Sequence, residues 1–209
     1  MKAAISWIGY ATLAFFSLLM LRITIPYFQL DDHVAFLRIK QAVIGNQVWK
    51  TAFYLHVFTS MMALIAGFTQ FSHNILRRRA QLHRWMGKLY VAVILLISGP
   101  AGFVMGLYAN GGWLSQLSFT LLAVFWWGFT WQAYRQILAG NIRLHQQMMW
   151  RSYALTLSAI TLRVWKYLLV WAFRPQPMDV YMLVAWLGWV PNLLLVEGWI
   201  RWRMSHRGA

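Results

Sequence analysis

The stretch that decides the fold is Met86–Ala109, MGKLYVAVILLISGPAGFVMGLYA, whose one charge is Lys88. A hydrocarbon core about 30 Å thick takes about 20 apolar residues in a helix, and this run is long enough. Working outward, five more runs qualify, near 5–25, 51–72, 113–135, 148–173 and 178–200. The six take up most of the chain and leave no room for a separate soluble domain, so 1–209 reads as one membrane domain. The expected class is an all-α integral membrane protein, a six-helix bundle. The first run opens on Met1-Lys2 and resembles a signal peptide. Its apolar stretch is longer than the usual ~7–15 residues, and no A-x-A-like cleavage site follows it. It reads as a retained span.

Composition narrows the chemistry. The chain has 209 residues, 60% hydrophobic and 11% charged, against roughly 25% charged in ordinary soluble domains. With no cysteine there is no disulfide framework, thiolate zinc site, iron–sulfur cluster or covalent c-type haem. Four carboxylates, Asp31, Asp32, Asp179 and Glu197, are too few for a two-metal centre. A net charge of +15 would suggest a nucleic-acid partner in a polar protein. Beside 14 Trp and 13 Phe it suggests a bilayer instead, with anionic lipid at the cytoplasmic face and no nucleic acid.

The cations also give an orientation. With the N-terminus inside, Lys2, Arg77, Arg78, Arg79, Arg84, Lys88, Arg135, Arg143, Arg151, Arg201, Arg203 and Arg207 fall on one side, 12 of 19. Arg22, Arg38, Lys40, Lys50 and Arg174 fall on the other. Six spans then place both termini in the cytoplasm, in a bacterial-type inner membrane. Tryptophans favour membrane interfaces. Trp7, Trp85, Trp150, Trp199 and Trp202 stand at inner ends, and Trp49, Trp113 and Trp171 at outer ends. Trp126, Trp127, Trp131, Trp165, Trp186 and Trp189 stay inside spans, either as bundle filling or as the wall of a pocket for a flat ligand.

The loop from Pro26 to Lys50 reads as a short amphipathic helix on the outer surface. Asp32 is its candidate N-cap, and Phe36, Ile39 and Val43 form its apolar face. Small residues every four positions, Thr59, Ala63 and Gly67, then Ser98, Gly102 and Gly106, mark close helix approach. Pro100 marks a kink.

Polar groups inside a membrane are costly and are functional candidates by default. At 100° per residue His56 shares a stripe with Thr59, Ser60, Gly67, Gln70 and Asn74, either an interhelical hydrogen-bond seam or part of a ligand site. His73 follows His56 by 17 residues, about 100° round a straight helix. His83 and His145 each stand at the cytoplasmic start of an outward span, in loosely similar surroundings that hint at a parallel repeat. Two neutral imidazoles on facing helices are what an axial b-type haem takes, and Arg84 or Arg77, Arg78 and Arg79 would meet its propionates. Trp127 and Trp186 are among the tryptophans that would line such a pocket. The bland alternative is interfacial histidines bound to lipid or backbone. A second haem lacks ligands, since only His56 lies within a span in the outer half and His33 would have to fold back from the loop. Arg163 lies deep with no evident acid, because Glu197 is better placed for Arg201 or Arg151. It points to an anion or quinone-carbonyl site, or to bonds with backbone carbonyls.

Several segments carry a family resemblance: Leu55-His56, Gly67 with Gln70-Phe71, and Leu82-His83-Arg84-Trp85-Met86-Gly87-Lys88-Leu89-Tyr90. His145 follows, with Arg151-Ser152-Tyr153-Ala154-Leu155-Thr156 and Ile160-Thr161-Leu162-Arg163-Val164-Trp165. Ala185-Trp186, Trp189-Val190-Pro191-Asn192-Leu193 and Glu197 close the series. From about Tyr54 to Glu197 the chain resembles DUF2306, a family of predicted membrane proteins. It departs from that pattern at Phe68-Thr69, where a proline is expected, and at Gln146-Gln147-Met148-Met149-Trp150, in place of a more basic run. The resemblance implies a multi-pass membrane protein and brings no activity with it. His83–Gly87 is also similar to a segment of haem-bearing membrane reductases, by analogy only. Three functions stay open: haem- or quinone-linked electron transfer, a small-molecule or ion transporter using His56, Gln70 and Arg163, and a non-enzymatic membrane subunit.

Overall fold

The computed structural model describes residues 2–206, without the side chains of residues 2–8 and His73. The side-chain readings for Lys2, Trp7, His73 and Arg207 fall outside the described residues. All regular structure among them is helical: α1 (Lys2–Thr24), α2 (Gln47–Gln70), α3 (His73–Arg78), α4 (Ala80–Ala92), α5 (Gly99–Leu107), α6 (Gly112–Leu138), α7 (Ile142–Thr156), α8 (Ser158–Phe173), α9 (Pro177–Leu187) and α10 (Val190–Ser205). A π-helical turn, Val93–Ser98, joins α4 to α5, and two 3₁₀ helices, Ile25–Gln29 and Ala35–Lys40, lie between α1 and α2. Five helical stretches are long and apolar enough to cross a membrane: Gly9–Gln29, Gln47–Gln70, Ala80–Leu107, Ile142–Phe173 and Pro177–Ser205. The fourth expected span, α6, has 27 residues, about 40 Å of helix. Its tryptophans and its Ser, Thr and Gln residues make it less apolar than the others.

The core joins α2, α4, the π turn, α6, α7 and the break ahead of α10 through Ala63, Ala66, Tyr90, Ile94, Trp126, Ala133, Met149, Tyr153 and Trp189. α1 packs at the edge, where Met20 meets Leu64 and Ile160. The small-residue rows lie in these contacts. A Cβ at Gly67 would fall inside the Tyr153 phenol, one at Gly102 would sit 3.1 Å from the His56 ring, and one at Gly106 would sit 2.9 Å from the Thr120 backbone nitrogen.

Three of the rods are interrupted, each in a way its sequence explains. Pro100 has no N–H to give, so the i→i+5 ladder of the π turn leaves the Leu95 carbonyl free. The Trp127 indole N–H takes that carbonyl at 3.0 Å. Pro191 in the first turn of α10 separates α9 from α10 at Gly188-Trp189, and Leu157 separates α7 from α8. Asn192 spans both breaks: its Nδ2 donates to the Ala154 carbonyl (3.1 Å), Thr161 Oγ1 (3.0 Å) and the Gly188 carbonyl (3.3 Å). The Thr161 hydroxyl also donates to the Gly188 carbonyl. Irregular backbone at membrane depth survives where the protein satisfies it, and here one amide and one hydroxyl do so.

The segment between α1 and α2 departs from expectation. It is a 3₁₀ helix plugged into the end of the bundle, not an amphipathic helix lying on the surface, and Asp32 does not cap it. With three residues per turn, i and i+3 eclipse, so Leu37 and Lys40 point inward together while Ile39 is exposed. Leu37 packs with Tyr27, Trp49 and Phe53. Trp49 is therefore buried rather than interfacial, whereas Trp85, Trp113, Trp171, Trp199 and Trp202 are exposed as an interface requires. Asp32 pairs instead with Lys50, 2.7 Å away. Asn74 also leaves its expected stripe, because the chain turns at Phe71-Ser72 and Asn74 is exposed on α3.

Candidate functional site

His83 and His145 occupy the same position, the fourth residue, of α4 and α7. α7 starts there because the Asn141 side chain accepts the Leu144 N–H at 3.1 Å. His145 Nδ1 donates to the Ala133 carbonyl at 2.8 Å. That bond fixes the ring and leaves Nε2 as the nitrogen with the lone pair, the arrangement seen when an imidazole serves as a metal ligand. Nδ1 of His83 is buried and has no hydrogen-bond partner among the described residues, an unusual state for a native polar atom. The two helices meet two turns further on, where the Tyr90 hydroxyl lies 2.7 Å from Ser152 Oγ, each seven residues beyond its histidine.

The shell of this pair is built by the end of α2. Gln70 Nε2 donates to the His83 carbonyl at 3.0 Å and to Thr69 Oγ1 at 3.1 Å. Gly87 admits the Gln70 amide, since a Cβ there would lie 3.0 Å from Oε1. Arg84 is exposed beside His83, as are Arg77, Arg78 and Arg79. Gln70 therefore belongs with His83, not with His56. Fourteen residues of helix, about 21 Å, separate it from His56 along α2.

His56 and Arg163 have partners of their own. His56 Nδ1 donates to the Ser98 carbonyl at 2.9 Å, and Thr59 Oγ1 lies 2.6 Å from Ser98 Oγ. The His56 ring meets the Trp126 indole edge-on, 6.3 Å between centroids. Arg163 Nη1 donates to the Ala159 carbonyl at 2.6 Å, the backbone-carbonyl partner that was one of its two expected readings. Glu197 is held by Arg151 in a bidentate pair, Nε to Oε1 at 2.5 Å and Nη2 to Oε2 at 2.9 Å. Of the two partners weighed for Glu197, Arg151 makes the bond.

The tryptophans divide. Trp126 and Trp189 are buried, Trp165 and Trp186 partly so, and Trp127 and Trp131 are exposed and stacked on each other. Trp127 satisfies the π turn, and Trp186 packs 6.0 Å from Trp189. A buried polar cluster was not foreseen. The Tyr90 hydroxyl lies 2.7 Å from Ser152 Oγ and 2.8 Å from Thr156 Oγ1, Thr130 Oγ1 lies 2.7 Å from Ser152, and Trp126 Nε1 donates to Thr156 at 2.9 Å. Its trace in the sequence is the pairing of hydrogen-bonding residues four apart, 126 with 130 and 152 with 156, too common a spacing to single out.

Lys40 was likewise counted only as topology. It is 3% exposed, and its ammonium donates to the Tyr108 carbonyl and, at 2.7 Å, to Asn110 Oδ1. It lies over the rings of Phe36 and Trp49. Burial without a carboxylate lowers its pKa from 10.5 to about 8.

A bundle of long apolar helices with its polar groups turned inward is a multi-pass membrane protein. The chain belongs to the family described as predicted membrane protein (DUF2306), whose model matches residues 53–200. Searches of curated proteins and of solved structures found no match.

Proposed function

We propose that the chain is an electron-transfer protein of a bacterial-type inner membrane that holds one b-type haem, with His83 and His145 as its axial ligands. The observation that carries this reading is the imidazole pair. The rings come from equivalent positions on two helices that meet through Tyr90 and Ser152, one ring with Nδ1 pinned to a carbonyl and the other with a buried Nδ1 that has no hydrogen-bond partner among the described residues. The residues present fit the group. Two imidazoles suffice to hold the iron, and the exposed Arg84, Arg77, Arg78 and Arg79 would be the cations available to its carboxylates. When bound, the haem supplies one-electron iron chemistry. The protein's part is to orient both rings, through the Ala133 carbonyl and through the grip of Gln70 on the His83 backbone. Of the tryptophans expected along the pocket wall, Trp127 bonds the Leu95 carbonyl and Trp186 packs on Trp189.

In this reading α6 also crosses the membrane, which makes six spans, and both termini are cytoplasmic. Exposed Trp113 at one end of α6 and Arg135 at the other support that orientation. Reporter fusions at each terminus test it, and a periplasmic signal at either would reverse it. A small-molecule transporter is a second reading, favoured by the paired breaks of α7–α8 and α9–α10, since discontinuous helices mark binding sites in transporters. One experiment separates the two. Protein purified after expression with haem supplied should give a stoichiometric Soret band and a reduced-minus-oxidised α band, lost in His83→Ala and in His145→Ala. No band in the wild type ends the haem reading, and an unchanged band in both variants ends the ligand assignment.

A further inference from the structure

We infer that the end of α10 carries a binding site for an anionic phospholipid, whose phosphate is taken by Arg203 and whose acyl chain lies along Trp199 and Leu195. Arg203 is half-buried and held by aromatic rings from two helices. Its Cζ lies 5.1 Å from the ring centroid of Trp150 on α7 and 5.4 Å from that of Trp199 on α10. The stack continues along α10, with Trp199 5.2 Å from Trp202 and Trp202 4.9 Å from the His206 ring. Gln147 Nε2 donates to Met204 Sδ at 3.6 Å and ties the same two helix ends together. Indole faces attract a guanidinium through the ring quadrupole, and a stacked guanidinium keeps its N–H edge for a phosphate or carboxylate. Among the described residues no carboxylate pairs with Arg203: the two ion pairs are Lys50–Asp32 and Arg151–Glu197.

At 100° per residue, positions 195, 199, 202, 203 and 206 fall within about 100° of one another, so they share one face of α10. That face changes character along its length. Leu195 is 75% exposed, Trp199 48% and Trp202 52%, and Arg203 and the exposed His206 follow. Apolar, then aromatic, then cationic is the order in which a phospholipid presents its chain, its interfacial region and its phosphate. Gly198 leaves open space beside Trp199, since a Cβ there would meet nothing within 4 Å. Charge decides between lipids. A headgroup that also carries an ammonium wants a carboxylate or a bare aromatic face. Glu197 lies across α10 from Trp199 and is held by Arg151, and the two indoles nearest the site already face Arg203. A phosphodiester without a cation of its own is the complement.

This site shares no residue with the proposed haem site and needs no particular orientation of the chain, so either reading can fail alone. The test is native mass spectrometry of the full chain, delipidated in detergent and titrated with phosphatidylglycerol or with phosphatidylcholine of the same acyl chains. Inorganic phosphate is a competing arm. The first phosphatidylglycerol should bind about tenfold or more tightly than the first phosphatidylcholine, and phosphate should not displace it. Arg203→Met should abolish that preference. Trp199→Leu, which keeps apolar bulk and removes the stacked ring, should weaken phosphatidylglycerol binding by about two- to fivefold. Arg201→Met removes an exposed cation from the opposite side of α10 and should leave the preference intact. If Arg203→Met does not fold, Arg203→Lys, which keeps the charge and loses the planar fork, should still weaken binding. The inference is overturned if the wild type binds both lipids alike, if phosphate displaces phosphatidylglycerol, or if the folded Arg203 variants bind as the wild type does. It is also overturned if Arg201→Met removes the preference as fully as Arg203→Met, or if the spectrum shows, in place of bound lipid, a dimer that Trp199→Leu dissolves.

Discussion

Replacing Gly67 by alanine tests how α2 and α7 are held together. The added Cβ would fall within the Tyr153 phenol. That ring cannot yield freely, because its hydroxyl donates to the Leu64 carbonyl at 3.0 Å and it packs on Phe71 at 4.8 Å between centroids. Overpacking of this kind costs about 1–3 kcal/mol. Turning the phenol away would leave a buried hydroxyl unpaired at about 1–3 kcal/mol. Against this, alanine improves an exposed helix by about 1 kcal/mol over glycine. The expected net loss is about 1–5 kcal/mol, read by reversible unfolding in detergent. Tyr153→Leu frees the space, so the double variant should recover part of that loss, with a coupling of at least about 1 kcal/mol in a double-mutant cycle. A Gly67→Ala protein as stable as the wild type, or strictly additive variants, would refute the argument.

Asn192→Ala should destabilise by about 2 kcal/mol, the cost of carbonyls unserved at both breaks, seen as faster hydrogen exchange confined to 154–161 and 188–192. The Lys40 ammonium, with its pKa depressed to about 8, is charged below that value in both the docked and the released loop. Between pH 8 and 10.5 the docked form binds fewer protons, so stability should rise through that window, by on the order of 3 kcal/mol in the limit. Lys40→Met should flatten the pH dependence of the thermal midpoint there. Glu197→Gln should cost about 1–3 kcal/mol by leaving the Arg151 guanidinium half-buried without its carboxylate. Arg151→Met with Glu197→Met should cost less than the sum of the single changes, in the same unfolding assay.

Much of this fold was legible because membrane helices declare themselves by length and apolar content, and small residues every four positions announced the contacts at Gly67, Gly102 and Gly106. The breaks at Leu157 and Gly188 were less visible. Pro191 signals one of them, but nothing local to Leu157 signals the other, since the amide that stabilises it sits 35 residues away on Asn192. The plug was misread because its apolar pattern suits both a surface α-helix and a 3₁₀ helix. What decides is the space under Trp49 and Phe53, a tertiary fact. In the candidate sites the residue types were legible and their grouping was not. Gln70 and His56 share a helix, but depth along it assigns one to His83 and the other to Ser98 and Trp126.

The clip at Asn192 has a mechanical consequence. α8 lies against α9 and α7 against α10, while each broken pair has little contact across its own break. The last two rods therefore behave as two stacked layers rather than two columns. Load applied to the α8–α9 layer reaches the α7–α10 layer through two short connectors and the Asn192–Thr161 clasp, so that clasp sets how stiffly the two ends of the bundle are coupled.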